Sequence, residues 1–449
     1  MKPEPNQPIH PFITKPHRTF LLLSVPVLFS MIAEPVTGLV DTAFVARLGA
    51  EPLAALGVGT MLLSGIFWVF NFLSVGTQTE VGQALGRQEQ ERAAEIAFLA
   101  VLVGFCLGML LIVVFWWMVP PIVTYMGATD AVHGMSVRYV TIRLFGAPAV
   151  LITLSAFGVL RGCQDMRTPL WIAVLINLMN ILLDAMLIFG TGPIPAFGIA
   201  GAAYATTFSQ WLGAAVAVLL LYKRLSLPRQ LRAADIKRLI RIGGDMFVRT
   251  GLLLFYLLMA TRTATRISPE AGAAHQAIRQ FWTFTALFLD AYSITAQSLI
   301  AYFIGTQDKQ QPKRVARVIC LWSVITGFLL TGVMVAGQGV FARLLVPPEA
   351  VGLFAVPWLI AAFSQPINAI AFATDGIHWG TGDFAYLRNG MIVATSTGLI
   401  GIFLLEVYKI ATLEMLWVVT AIWITARAVA GTIRVWPGIG HAPLSGEPA

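Results

Sequence analysis

Twelve long apolar runs, parted by short breaks rich in Gly, Pro and basic residues, constrain this chain more than any other feature. They fall at about 19–46, 53–79, 94–118, 134–159, 169–190, 197–222, 238–260, 272–301, 315–339, 352–373, 386–407 and 412–435. A helix needs about 20 mostly apolar residues to cross a bilayer, and every run reaches that length. Only 12% of the residues are charged and mean hydropathy is +0.77, whereas a soluble globule carries charge on about a quarter of its residues. The fold class is therefore an all-α polytopic membrane protein. The first 17 residues, with Pro3, Pro5, Pro8, Pro11 and Pro16, read as a polar tail rather than a cleavable signal.

The net charge of +8 would suggest a nucleic-acid partner in a soluble protein, but its placement points elsewhere. Lys223, Arg224, Arg229, Arg232, Lys237, Arg238 and Arg241 form one basic segment, and Lys309, Lys313, Arg314 and Arg317 another. With an even number of spans, these segments and 87–92 and 161–167 fall on one side, the side of both termini. The opposite loops at 190–196 and 343–350 are nearly free of Lys and Arg. Short basic loops stay cytoplasmic and meet anionic lipid there. The expectation is a multi-pass plasma-membrane protein (bacterial inner membrane) with both termini cytoplasmic, lipid as neighbour and no nucleic acid.

An internal repeat divides the spans. Ala54-Ala55, Gln78 and Gly86 recur at a constant offset as Ala273-Ala274, Gln297 and Gly305, and Gly162-Cys163-Gln164 recurs loosely as Gly376-Ile377-His378. Five segments follow: a tail at 1–17, a six-helix lobe at 18–222, a cytoplasmic linker at 223–237, a second six-helix lobe at 238–436 and a tail at 437–449. Because six is even, the lobes share one orientation and a pseudo-twofold axis along the membrane normal, with a cleft between them. Phe67, Trp68, Phe70 and Phe72, with Phe281, Trp282, Phe284 and Phe288, are candidates for an aromatic wall or for lipid anchors.

Polar residues inside the runs are candidate sites, because a carboxylate at membrane depth is costly without a cavity or partner. The first run holds Glu34, Pro35 and Asp41; Pro35 removes a backbone donor, leaves the carbonyl one turn earlier free and offers a point of bending. In the fifth, Asn177, Asn180 and Asp184 stand at helical spacing on one face. Asp41 is the most economical partner for that stripe. Two carboxylates and an amide would then share a pocket able to hold a proton or a sodium ion. Further along lie Asp245 four residues before Arg249, with the spacing of an internal ion pair, and Asp290, Asp375 and Glu406. Arg138 and Arg143 flank the outer mouth of the fourth span, where repulsion of cations and pairing with lipid are both open readings.

The stretches EPVTGLVDTAFVARLG from Glu34, GQALGRQ from Gly82 and LRGCQDMRTP from Leu160, followed by NxxNILLD, carry a resemblance. The whole chain resembles the multidrug and toxic compound extrusion (MATE) family of the multidrug/oligosaccharidyl-lipid/polysaccharide exporter superfamily, and more narrowly its DinF-like branch. That resemblance implies two six-helix lobes and efflux of amphipathic, often cationic drugs or metabolites, driven by proton or sodium entry in a monomer. It implies Asp41, Asn180 and Asp184 as the amino-lobe cation site. A fourth-span amide and a sixth-span hydroxyl would complete that site; the chain offers Thr153 and Ser155 in the one and Thr206 and Thr207 in the other. Asp375 resembles the tenth-span carboxylate of the sodium-coupled branch loosely.

No enzyme signature competes. The chain has no GxxxxGK[ST] loop, its six histidines form no HExxH, and Cys106, Cys163 and Cys320 lack metal-ligand spacing. Neither a cofactor nor a required metal is expected. The alternatives to secondary antiport are a flippase for lipid or lipid-linked substrates and, further off, a membrane-embedded enzyme.

Overall fold

Each apolar run becomes helix in the computed structural model, which describes residues 10–225, 228 and 231–444. Pro3, Pro5, Pro8, Arg229 and the last residues of the 437–449 tail lie outside the described residues. Among the described residues, ten helices are long and apolar enough to cross a bilayer. They are Pro16–Ala46 (span 1), Ala50–Gly86 (span 2), Gln90–Tyr125 (span 3), Arg167–Phe189 (span 5), Ile199–Leu225 (span 6), Ile236–Ile267 (span 7), Pro269–Gly305 (span 8), Gln311–Leu345 (span 9), Phe384–Val407 (span 11) and Leu413–Val435 (span 12). Span 1 continues as helix beyond Thr37, so Asp41 lies in a helix and not in an interface loop.

Spans 4 and 10 are helix pairs: Asp130–Leu144 with Ala147–Gly162, bent by 48°, and Ala355–Phe363 with Gln365–Thr381, bent by 43°. The cause is local. Pro148 and Pro366 open the second helix of each pair, where a ring without N–H cannot bond back to the preceding turn. The Ala362 carbonyl beside the second break instead accepts the hydroxyl of Thr331 at 2.7 Å.

The described chain forms two compact units. Phe29–Gly243 make the amino unit; residues up to Leu28 group with those from Gly244 onward in the carboxyl unit. The segment before span 1 is thus more than a polar tail from His10 on. Phe12 and Phe20 are fully buried in the carboxyl unit's cluster with Ile300 and Phe303, and Arg314 Nη1 donates to the Ile13 carbonyl at 3.0 Å. The basic segment after span 6 belongs to the amino unit by similar logic. Its Arg224 and Arg238 pair with Asp165 and Glu80 at 2.7 and 2.8 Å, so part of that charge neutralises carboxylates of its own unit. Outward faces are apolar, with Trp117 80% exposed and Leu329 65%, as a lipid-facing surface requires.

The repeat is visible down to single hydrogen bonds. Spans 2 and 8 both end on a left-handed glutamine, Gln88 (φ 64°) and Gln307 (φ 59°). The next N–H in each case bonds back to the helix, Glu89 to Ala84 at 3.0 Å and Asp308 to Phe303 at 3.3 Å. Helix crossings repeat as well, with Gly162 matching Gly380 and Gly158 matching Gly376, one turn away from the loose sequence match of Gly162 with Gly376. A methyl group built on Gly162 would stand 2.8 Å from the Gln78 carbonyl oxygen, and one on Gly380 2.9 Å from that of Gln297. Small residues let these helices touch backbone to backbone. Gly162→Leu and Gly380→Leu are each expected to cost about 1–3 kcal/mol, read as a lower thermal midpoint in detergent. Gly332→Leu, at a site with open space around it, should leave the midpoint in place.

Candidate functional site

The amino unit brings the predicted polar residues of spans 1 and 5 together. Asn180 and Asp184 are 1% and 0% exposed, one helical turn apart on span 5, because Ile172 and Ile188 on either side bury this face. Asp41 of span 1 lies near enough to Asp184 for the two carboxyl groups to act on each other. Asn180 Nδ2 donates to Thr206 Oγ1 at 3.1 Å, and that hydroxyl donates to the Ala202 carbonyl at 2.8 Å. The span 6 hydroxyl therefore fixes the amide so that its oxygen is turned away from the bond. Asp41 Oδ1, both Asp184 carboxylate oxygens and Asn180 Oδ1 are buried with no hydrogen-bond donor among the described residues. Several oxygens short of donors in one buried place can accept a proton between the acids or coordinate a hard cation.

Other expected members sit outside this set. Asn177 is only half-buried. Thr207, Thr153 and Ser155 direct their hydroxyls to the carbonyls of Ile142, Ala149 and Ala100. Glu34 and Pro35 are exposed on the unit's surface. Glu34 nevertheless lies in the electrostatic field of Arg143, as do Asp41 and Asp184.

Arg143 is the residue that sequence reasoning misplaced. Rather than guarding an outer mouth or meeting lipid, it is 8% exposed and donates through Nη1 to Gln210 Oε1 at 2.7 Å. The bend of span 4 two residues later turns this side chain inward. The sequence signal was available: an arginine nine residues inside the expected 134–159 run cannot face hydrocarbon cheaply. A cation here offsets part of the repulsion between Asp41 and Asp184 without occupying the space between them. Arg143→Gln is expected to reduce gradient-driven transport severely and Arg143→Lys to retain part of it. Equal activity of all three proteins in reconstituted vesicles would exclude that role.

Comparison with known proteins bears on the family and the fold. The MatE family profile matches residues 26–186 and 246–405, one stretch in each half of the chain. The chain belongs to the MatE family. It is 29% identical to Protein DETOXIFICATION 44, chloroplastic, of Arabidopsis thaliana, over 99% of this chain and 88% of that protein. It is also 29% identical to DNA damage-inducible protein F of Escherichia coli, over 86% and 85%. The fold matches the bent form of the Vibrio cholerae MATE transporter VcmN with a TM-score of 0.85 at 20% identity, covering 94% and 96% of the two chains. The expected two-lobe MATE architecture is thereby shown.

In this MatE chain the carboxyl-unit acids are arranged differently from their sequence expectation. Asp245 and Arg249 do not pair with each other. Asp245 Oδ1 accepts from Arg388 Nη1 of span 11 at 2.5 Å, and Arg249 binds Asp375 of span 10. Helical spacing makes an i,i+4 pair reachable, but tertiary partners on neighbouring helices, half-buried Arg388 and buried Asp375, take both groups. Asp375 also accepts from Arg427 Nη2 at 3.0 Å, so this carboxylate is neutralised by two guanidiniums. Asp290 is half-buried on span 8, and Glu406 accepts from the Thr263 hydroxyl at 3.2 Å. The expected aromatic wall is partly internal packing: Phe281 lies 4.4 Å from Phe341 and 5.0 Å from Trp358.

Proposed function

We propose that this chain is a secondary active antiporter exporting amphipathic, often cationic organic compounds in exchange for protons, with sodium as the alternative coupling ion. The observation that supports it is the nearness of Asp41 to Asp184, where Asn180 Oδ1 and oxygens of both acids are buried without a donor among the described residues. Two carboxylates so placed are comfortable only with a cation between them. Entry of that ion and release of cargo are coupled if each alters the other's affinity. We read the chain as DinF-like from its first-span and loop motifs, as a monomer in a bacterial inner membrane, working by alternating access.

The deciding experiment is transport of a cationic dye by vesicles reconstituted with the protein, under separately imposed proton and sodium gradients. Dye movement driven by one gradient and abolished by its collapse is the expected result. Gradient-independent movement of labelled lipid with no driven dye movement would favour the flippase reading instead. For orientation, single cysteines introduced at Pro228 and Gln310 should resist impermeant thiol reagents added outside intact cells. Labelling there would invert the assigned topology.

A further inference from the structure

The carboxyl unit contains a second polar centre, built with the opposite chemistry. Arg249 of span 7 and Arg427 of span 12 both donate through Nη2 to one atom, Asp375 Oδ2. Their residue exposures are 6% and 7%, and Asp375 is 6% exposed. One oxygen thus serves two guanidiniums. Arg249 Nε, Arg427 Nε and Arg427 Nη1 are buried with no hydrogen-bond acceptor among the described residues.

The surroundings supply aromatic faces rather than acceptors. The Arg427 guanidinium lies 5.0 Å from the Trp423 ring and 5.7 Å from that of Phe372, and Arg249 lies 5.3 Å from Trp379. Asp290 acts on Arg427 electrostatically, more weakly than Asp375 does. His378 offers its ring nitrogens to the Gly431 carbonyl at 3.0 Å and to Asp383 at 4.0 Å, and Asp245 is held by Arg388. A buried charged donor without an acceptor is costly, and a purely structural ion pair normally satisfies its remaining N–H groups. Three such donors in one cluster call for an acceptor that comes and goes.

The geometry points to an anion site: Arg249 and Arg427 receive an oxyanion group, carboxylate or phosphate, carried by an amphipathic organic compound, while Asp375 keeps both guanidiniums in place. Guanidinium N–H groups match the lone pairs of such a group. Trp423, stacked on Tyr256 at 4.4 Å, backs the Arg427 guanidinium, and the half-buried Phe372 ring suits the apolar body attached to the anion. Where the amino unit collects acceptors for a cation, the carboxyl unit collects donors for an anion. The compounds handled would then include zwitterions and organic anions beside cations.

Binding at this site needs no ion gradient, so its test is independent of antiport. Purified full-length protein is titrated calorimetrically with benzoate and with phenyl phosphate, against chloride at equal ionic strength. Saturable binding of at least one of the two is expected, weakened about tenfold or more in Arg427→Gln and less in Arg427→Lys, as loss of a charge-assisted hydrogen bond predicts. Preference between the two probes identifies carboxylate or phosphate as the natural group. Should Arg427→Gln not fold, Arg249→Gln is read in its place, with the same weakening expected, and Arg249→Lys with a smaller one. Absence of saturable binding to folded wild-type protein, equal affinity in the folded variants, or equal binding of chloride would overturn the assignment.

Discussion

Asp41→Asn and Asp184→Asn each leave folded protein in the membrane and reduce gradient-driven efflux to passive leak. The expectation follows from what surrounds the acids. Asp184 has no exposed surface, and neither of its oxygens receives a hydrogen bond among the described residues, so substitution by the amide breaks no such bond. Substituting the neutral amide removes an unpaired buried charge, which folding tolerates. It also removes half of the pair that holds the ion, which coupling does not tolerate, because the ion belongs to the pair as a unit. Proton release on binding of a cationic dye, measured in purified protein with sodium titrated in parallel, should disappear in both variants. Unchanged release and unchanged driven transport in the double substitution would end the assignment.

Asp375→Ala is expected to destabilise the carboxyl unit far more than Asp245→Ala. Removing Asp375 leaves two buried guanidiniums, Arg249 and Arg427, without a carboxylate, and breaking one side of a buried ion pair typically costs about 3–5 kcal/mol. The Arg388 side chain facing Asp245 is 34% exposed, so water takes over part of the lost interaction and the cost falls toward about 1 kcal/mol. Thermal denaturation of the two variants in detergent measures the difference. Equal shifts would mean that the buried triad is no more than a surface-like contact.

Much of the amino-unit site was legible because helical periodicity and the bilayer act on the same residues. Asn180 and Asp184 are a turn apart whatever surrounds them, and hydrocarbon leaves such a stripe only an interior destination. The inward direction of Arg143 was not legible for a tertiary reason. Its direction depends on the 48° bend within span 4 and on the partner Gln210 offered by span 6, neither of which is a local property. Asp245 and Arg249 show the converse error, where correct local spacing was overruled by partners 143 and 126 residues away in sequence.

By itself, the sequence determined the all-α membrane class, the twelve apolar segments, the repeat between the halves and the helical face carrying Asn180 and Asp184. Each follows from length, hydropathy or a period of 3.6, which act along the chain. Tertiary structure alone decided the nearness of Asp41 to Asp184, the inward turn of Arg143, the sharing of Asp375 by two arginines and the burial of Phe12 in the carboxyl unit. Those depend on which helices meet and at what angle. The angle is set where glycines such as Gly162 and Gly380 admit a neighbouring backbone and prolines break a hydrogen-bond ladder, and the partner is set by the cost of leaving a buried charge unpaired.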